Sequence, residues 1–179
     1  MKLTFNRSHT VEVKITKPGV NRAFVFDLEV AIAKPSEPPV DPMSGMLLNL
    51  VDADAMLAEL HNTFPSADSF QSLLEKSRDF ISAKLKAKGC VLNEICFREK
   101  RGFSFGWKAG ALFMACAETR EWAGGVYRFE SERAFEESLV ENQQLNLAAT
   151  VVEIFALNPL VQSLVIENLG SGEKSLYFA

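Results

Sequence analysis

Apolar and polar side chains alternate through most of the first 33 residues. Leu3, Phe5, Val11, Val13 and Ile15 fall on odd positions of 2–15, the period of a half-buried strand. Pro18-Gly19-Val20-Asn21 is a turn signal. Residues 22–33 then place Phe24, Phe26, Leu28, Val30 and Ile32 on one face, with Asp27 and Glu29 on the other. The two segments predict a hairpin. Residues 34–42 are rich in proline, too rigid and too poor in N–H donors for a helix or a central strand. Gly45 ends this loop, and Met46-Leu47-Leu48 restarts extended chain.

The period then changes. Asn49 or Asp52 caps a predicted helix reaching His61, with Met56, Leu57 and Leu60 along one side. Phe64-Pro65-Ser66-Ala67 breaks it, and Asp68 or Ser69 caps the next. In that second helix Phe70, Leu73, Leu74, Phe80, Ile81 and Leu85 recur at helical spacing, and Gly89 lies where a C-terminal cap belongs. Val91–Glu99 and Phe103–Trp107 predict a hairpin across Lys100-Arg101-Gly102. Ala111–Thr119 and Val126–Glu130 predict strands around Ala123-Gly124-Gly125. From Ser131 onward Phe135, Leu139, Leu145, Leu147, Val151, Val152, Ile154 and Phe155 predict one long helix, stopped at Asn158-Pro159. Val161–Asn168 and Lys174–Phe178 close the chain as a hairpin across Gly170-Ser171-Gly172.

The order hairpin, helices, hairpin makes an α+β class, and it echoes itself. Ser69-Phe70-Gln71 opens one helix and Ala134-Phe135-Glu136 the other. Each helix feeds a strand ending near an acidic residue, Glu99 or Glu167, then a glycine-containing turn and a short aromatic strand. The echo predicts a first unit over 1–108 and a shortened second unit over 109–179, either as tandem units or around one shared core.

Composition narrows the function classes. Hydrophobic residues are 47% and charged residues 23% of the chain, the balance of a folded globular protein. Phe (14) far outnumbers Tyr (2) and Trp (2), which favours a dry aromatic core or a subunit interface. Net charge is −4 and the Lys and Arg residues are scattered, which argues against nucleic acid and anionic membranes as partners. Charges interrupt every apolar stretch, so no bilayer span is expected. Met1-Lys2-Leu3-Thr4-Phe5 alternates instead of running apolar, unlike a signal peptide. Cys90, Cys96 and Cys116 are odd in number without a CxxC pair, which suits buried thiols in a reducing cytoplasm, the expected location.

Several segments resemble the 6-pyruvoyltetrahydropterin synthase and 6-carboxytetrahydropterin synthase family. Ser44-Gly45-Met46-Leu47-Leu48-Asn49-Leu50-Val51-Asp52 is similar to its GMVxDFxDLK signature, and Phe5-Asn6-Arg7-Ser8-His9 to its first-strand FxAxH, whose His is a zinc ligand. His61 is placed like the His of the family's catalytic DH pair. Ile95-Cys96-Phe97-Arg98-Glu99 and Ser163-Leu164-Val165-Ile166-Glu167 each look like the VxVxE strand, whose Glu anchors the pterin ring. The resemblance implies a tunnelling fold, an antiparallel four-stranded sheet with helices on one face. It also implies homo-oligomers joined through edge strands, with ligand sites between subunits. A carboxylate such as Glu99 or Glu167 would accept paired N–H bonds from a pterin or purine-like ring.

The departures from the family concern its metal and its base. Arg22-Ala23-Phe24 stands where the family has the HGH that supplies two more zinc ligands. Pro18 or Gly19 stands near the place of its catalytic Cys, and Leu60 replaces the Asp before the catalytic His. The second repeat reads Phe113-Met114-Ala115-Cys116-Ala117 at the first-strand motif, with no His. His9 is then a remnant ligand and His61 the one candidate acid–base group, whereas zinc needs three or four converging donors. The expectation is a pterin-synthase-like protein without cofactor or zinc-dependent lyase activity that binds a ring at a subunit interface. The alternatives are an active synthase with a non-standard metal site and a ligand-free structural homo-oligomer.

Overall fold

A computed structural model describes residues 4–17, 20–35, 48–99, 102–139 and 147–179. Pro18-Gly19, most of the proline-rich loop, Ser44–Leu47 of the signature-like segment, Lys100-Arg101 and residues 140–146 of the predicted long helix lie outside these residues. The protein is α+β, and its chain divides into two compact units. The first comprises Met1–Lys100 with Gly106–Gly110, and the second Arg101–Phe105 with Ala111–Ala179.

In the first unit β1 (Thr4–Lys17) and β2 (Val20–Ala33) form the predicted hairpin, antiparallel from Thr4↔Ala33 to Lys17↔Val20. Helix α1 (Leu50–Thr63) starts at Asn49, whose side chain accepts from the Val51 N–H. The short β3 (Ser66–Ala67) pairs parallel with β1 at Lys14 and Ile15, so the sheet is mixed, where the sequence predicted antiparallel pairing alone. Helix α2 (Phe70–Lys86) is capped by Ser69, and β4 (Val91–Glu99) returns antiparallel to β2. The strand order in this unit is β3-β1-β2-β4.

Alternation decides which face of the sheet the helices cover. Val11, Val13 and Ile15 of β1 and Phe24 to Ile32 of β2 at even positions are buried, together with Leu57 and Leu60 of α1 and Leu73, Leu74, Ile81 and Leu85 of α2. Phe70 meets Phe24 edge-on at 5.1 Å between ring centroids, and Phe26 meets Phe97 at 5.6 Å. The Phe content of the first unit goes largely into this helix-covered face.

β5 (Phe103–Lys108) is divided between the units at Phe105/Gly106. In the second unit β6 (Ala111–Trp122) and β7 (Gly125–Ala134) form a hairpin paired from Phe113↔Ala134 to Trp122↔Gly125. Gly102 enters this unit at φ +101°, and an added Cβ there would sit 2.6 Å from the Ala117 carbonyl oxygen, so only glycine fits. Strands β8 (Ser163–Asn168) and β9 (Lys174–Phe178) continue the antiparallel order β6-β7-β8-β9.

The long helix expected from Ser131 does not form. Residues 131–134 belong to β7, Glu137–Leu139 make one 3-10 turn, and α3 spans only Val151–Leu157. Ala134-Phe135-Glu136 therefore opens no helix, and that part of the internal echo falls. Pairing with β6 claims residues 131–134: Ser131 is buried, and its hydroxyl donates to the Cys116 carbonyl at 3.4 Å. Helix α3 is instead started by a capping box, with Thr150 Oγ1 accepting from the Glu153 N–H and Glu153 accepting from the Thr150 N–H. Its Ile154 packs with Phe129, Val161, Leu164 and Ile166, and Trp122 and Tyr127 flank that cluster.

Candidate functional site

The residues expected to carry chemistry are spread over different faces. His61, in the last turn of α1, accepts at Nδ1 from the Glu12 N–H over 3.3 Å. Beside it the Lys14 N–H donates to the Pro65 carbonyl at 3.0 Å, so helix end and loop cover this stretch of the β1 edge. His9 stands on the helix-covered face of β1 near Asp54 of α1, whose carboxylate takes two charge-assisted bonds from Arg7 at 2.6 Å each. Those bonds hold Asp54 below the usual aspartate range, and His9 adds a smaller attraction. Among the described residues no three His, Cys, Asp or Glu side chains come together in a way that could hold a metal ion.

Glu99 lies opposite Phe26 and so shares the helix-covered face of the first unit. Glu167 lies opposite Arg128, on the face of the second unit away from Phe129 and Ile166, with its carboxylate 3.6 Å from the Lys174 Nζ. The two glutamates thus occupy non-equivalent faces of their units. Cys90, Cys96 and Cys116 are buried and form no disulfide, and burial pushes the Cys116 thiol up to about 11, away from nucleophilic use.

The face of β1, β2 and β4 opposite the helices carries a concavity of about 350 Å³. Register explains its shape. Asn6 pairs with Ala31, and Ala31 with Glu94, so one row across three strands reads amide, methyl, carboxylate. The next row is Ser8, Glu29 and Cys96. Adjacent strands lie about 4.8 Å apart, which puts the Asn6 and Glu94 backbones roughly 10 Å apart across the methyl floor of Ala31. Arg7 and Val30, whose side chains turn to the other face, complete the lining. A bulge adjoins the row: Ala31 pairs with Glu94 but Ile32 with Leu92, which leaves Asn93 as an extra residue that re-aims the strand beside Glu94.

Electrostatics separate the two carboxylates of the cleft. Glu29 is held by Arg98, with Nε to Oε1 at 3.3 Å and Nη2 to Oε2 at 3.5 Å. Glu94 is half-buried and makes no ion pair among the described residues. The row therefore offers a carboxylate acceptor on one side, an amide that donates and accepts on the other, and a small flat floor between them.

No protein-family model and no curated protein matches the sequence. No helix among the described residues is long and apolar enough to cross a membrane.

Sequence reading reached the edges of this cleft without finding it. Asn6 and Ser8 lie inside the first-strand segment that points to His9, and alternation puts Glu29 on the polar face of its strand. Glu94 and Ala31 gave no signal of their own. Their meeting depends on the register of β4 against β2, which the bulge at Asn93 offsets by one residue.

Proposed function

We propose that the protein is a pterin-synthase-like binding protein, with a tunnelling type of fold, that holds a pterin or purine-like ring in the cleft of β1, β2 and β4 without using zinc. The row Asn6–Ala31–Glu94 is the observation that carries this reading. A 2-amino-4-oxo ring presents adjacent N–H donors on one edge, and an ionised carboxylate accepts both in parallel. Glu94 is the carboxylate suited to that edge, because Glu29 is already engaged by Arg98. Ala31 lets a planar ring approach the sheet, and Asn6 and Ser8 meet its far edge. The cleft is within the size range of small-molecule sites. His61 and Glu99 take no part, since one covers the β1 edge and the other lies on the opposite face.

The test is calorimetry and thermal shift of the purified protein with neopterin, biopterin, guanine and urate. At least one ring is expected to raise the melting temperature. Glu94→Gln, which keeps the shape and removes the charge, is expected to weaken its binding about tenfold or more, the size of a lost hydrogen bond to a charged group. Glu99→Gln is expected to bind as the parent does. If none of the rings binds, or if Glu94→Gln binds as tightly as the parent, the reading fails. Stoichiometric zinc in the purified protein would overturn its metal-free part.

A further inference from the structure

We infer that β9 is a self-recognition edge, which pairs antiparallel with β9 of a second copy about a twofold axis through Leu176. The inference is independent of the ring-binding reading and rests on the second unit alone. β9 is the last strand in that unit's order, and all five of its residues are exposed. Leu176 is 57% and Phe178 73% exposed, which is unusual for large apolar side chains on an edge that no other described strand pairs with. Proteins normally guard such an edge with proline, a bulge or several charges, whereas β9 carries only Lys174 at its start. On β1 of the first unit, by contrast, His61, Pro65 and β3 cover the edge at Glu12, Lys14 and Ile15.

The hydrogen-bond phase of β9 limits the register to those that set its outward-facing residues against one another, and the axis at Leu176 gives the fullest overlap of these. The Asn168 N–H donates to the Glu173 carbonyl at 2.9 Å, and the Ala179 N–H donates to the Gln162 carbonyl at 3.0 Å. In an antiparallel ladder the bonded pairs alternate, so Ser175 and Tyr177 bond inward to β8. Lys174, Leu176 and Phe178 then point their N–H and C=O groups outward. A twofold axis at Leu176 sets those three residues against Phe178, Leu176 and Lys174 of the second copy, so every outward donor meets an outward acceptor.

Side chains agree with that register. Val165 and Leu176 lie side by side on one face, and the axis doubles them into an apolar stripe of four residues. The single charge of the strand, Lys174, meets the Phe178 ring of the other copy instead of another lysine. Its stem can cover that ring while its ammonium stays 3.6 Å from Glu167. A second copy therefore supplies the apolar surface, the hydrogen bonds and the charge spacing together, and the contact is isologous, so it uses up the β9 edge of both copies.

Sedimentation and light scattering of the full chain test the inference, with two variants. Leu176→Pro removes an outward N–H that β8 does not use, and Leu176→Lys sets two like charges on the axis. The parent is expected at twice the chain mass of 19.9 kDa and both variants at half the parent's value, with unchanged circular dichroism. If Leu176→Pro loses its fold, Leu176→Lys alone decides. A parent that is monomeric at every concentration, a dimer that survives Leu176→Lys, or a ring of three or more copies would each overturn it.

Discussion

Arg7 and Asn6 are neighbours on β1 whose side chains serve opposite faces of one sheet. Arg7 clamps α1 to the strand through Asp54, and Asn6 stands at the rim of the cleft. The Arg7–Asp54 pair has a pH signature with a definite sign. Asp54 titrates below its ordinary value of 3.8 in the folded protein, so its contribution is complete above that value and is lost as pH falls through the lower folded one. Asp54→Asn should therefore lower the urea midpoint at neutral pH, and the gap from the parent should close as acid is added below 3.8. Added salt should narrow it too, because both side chains are partly exposed. Of these residues the sequence disclosed types and faces. Alternation put the even positions from Phe24 to Ile32 in the core and Glu29 outside it, both as found. It could not disclose that Asn6, Ala31 and Glu94 share a row, because a row belongs to three strands and to the bulge at Asn93.

The hairpins and the first two helices were legible as elements because alternation, caps and turn residues agreed with one another. The hairpin of β6 and β7 was legible only in part, and its turn shows why. Ala123 and Gly124 have φ of 47° and 79°, a two-residue turn that holds the strands in pairing from its first residue. With the turn fixed there, a strand beginning near Ala111 needs a partner running to Ala134, so 131–134 had to be extended chain. The helical spacing of the apolar residues after Ser131 concealed that requirement. The true start of α3 was also present in the sequence, as Thr150 followed three residues later by Glu153. Thr150→Ala should cost about 1 kcal/mol of stability, the usual value of an N-cap, readable as a lowered midpoint in urea. Because α3 delivers Ile154 to the core of the second unit, part of that loss should appear as weaker amide protection around Phe129 and Leu164.

At the level of the whole chain, the two compact units are not two consecutive segments. Arg101–Phe105 belongs to the second unit and Gly106–Gly110 to the first, so the chain passes between them three times within a dozen residues. Phe105 packs on Phe135 at 6.2 Å, and the Gly102 carbonyl accepts from the Ala117 N–H, both inside the second unit. A fragment of residues 109–179 lacks these contacts, whereas one of 101–179 retains them. Calorimetry should therefore find a cooperative transition for 101–179 and a broad or absent one for 109–179; equal transitions would mean that Gly102–Phe105 is dispensable. The same interleaving has a consequence during synthesis. The chain leaves the ribosome from its N-terminus, so the opening segment of the second unit emerges before the closing segment of the first. The first hundred residues must wait, incomplete, through five that belong elsewhere, and the second unit is begun before the first is finished.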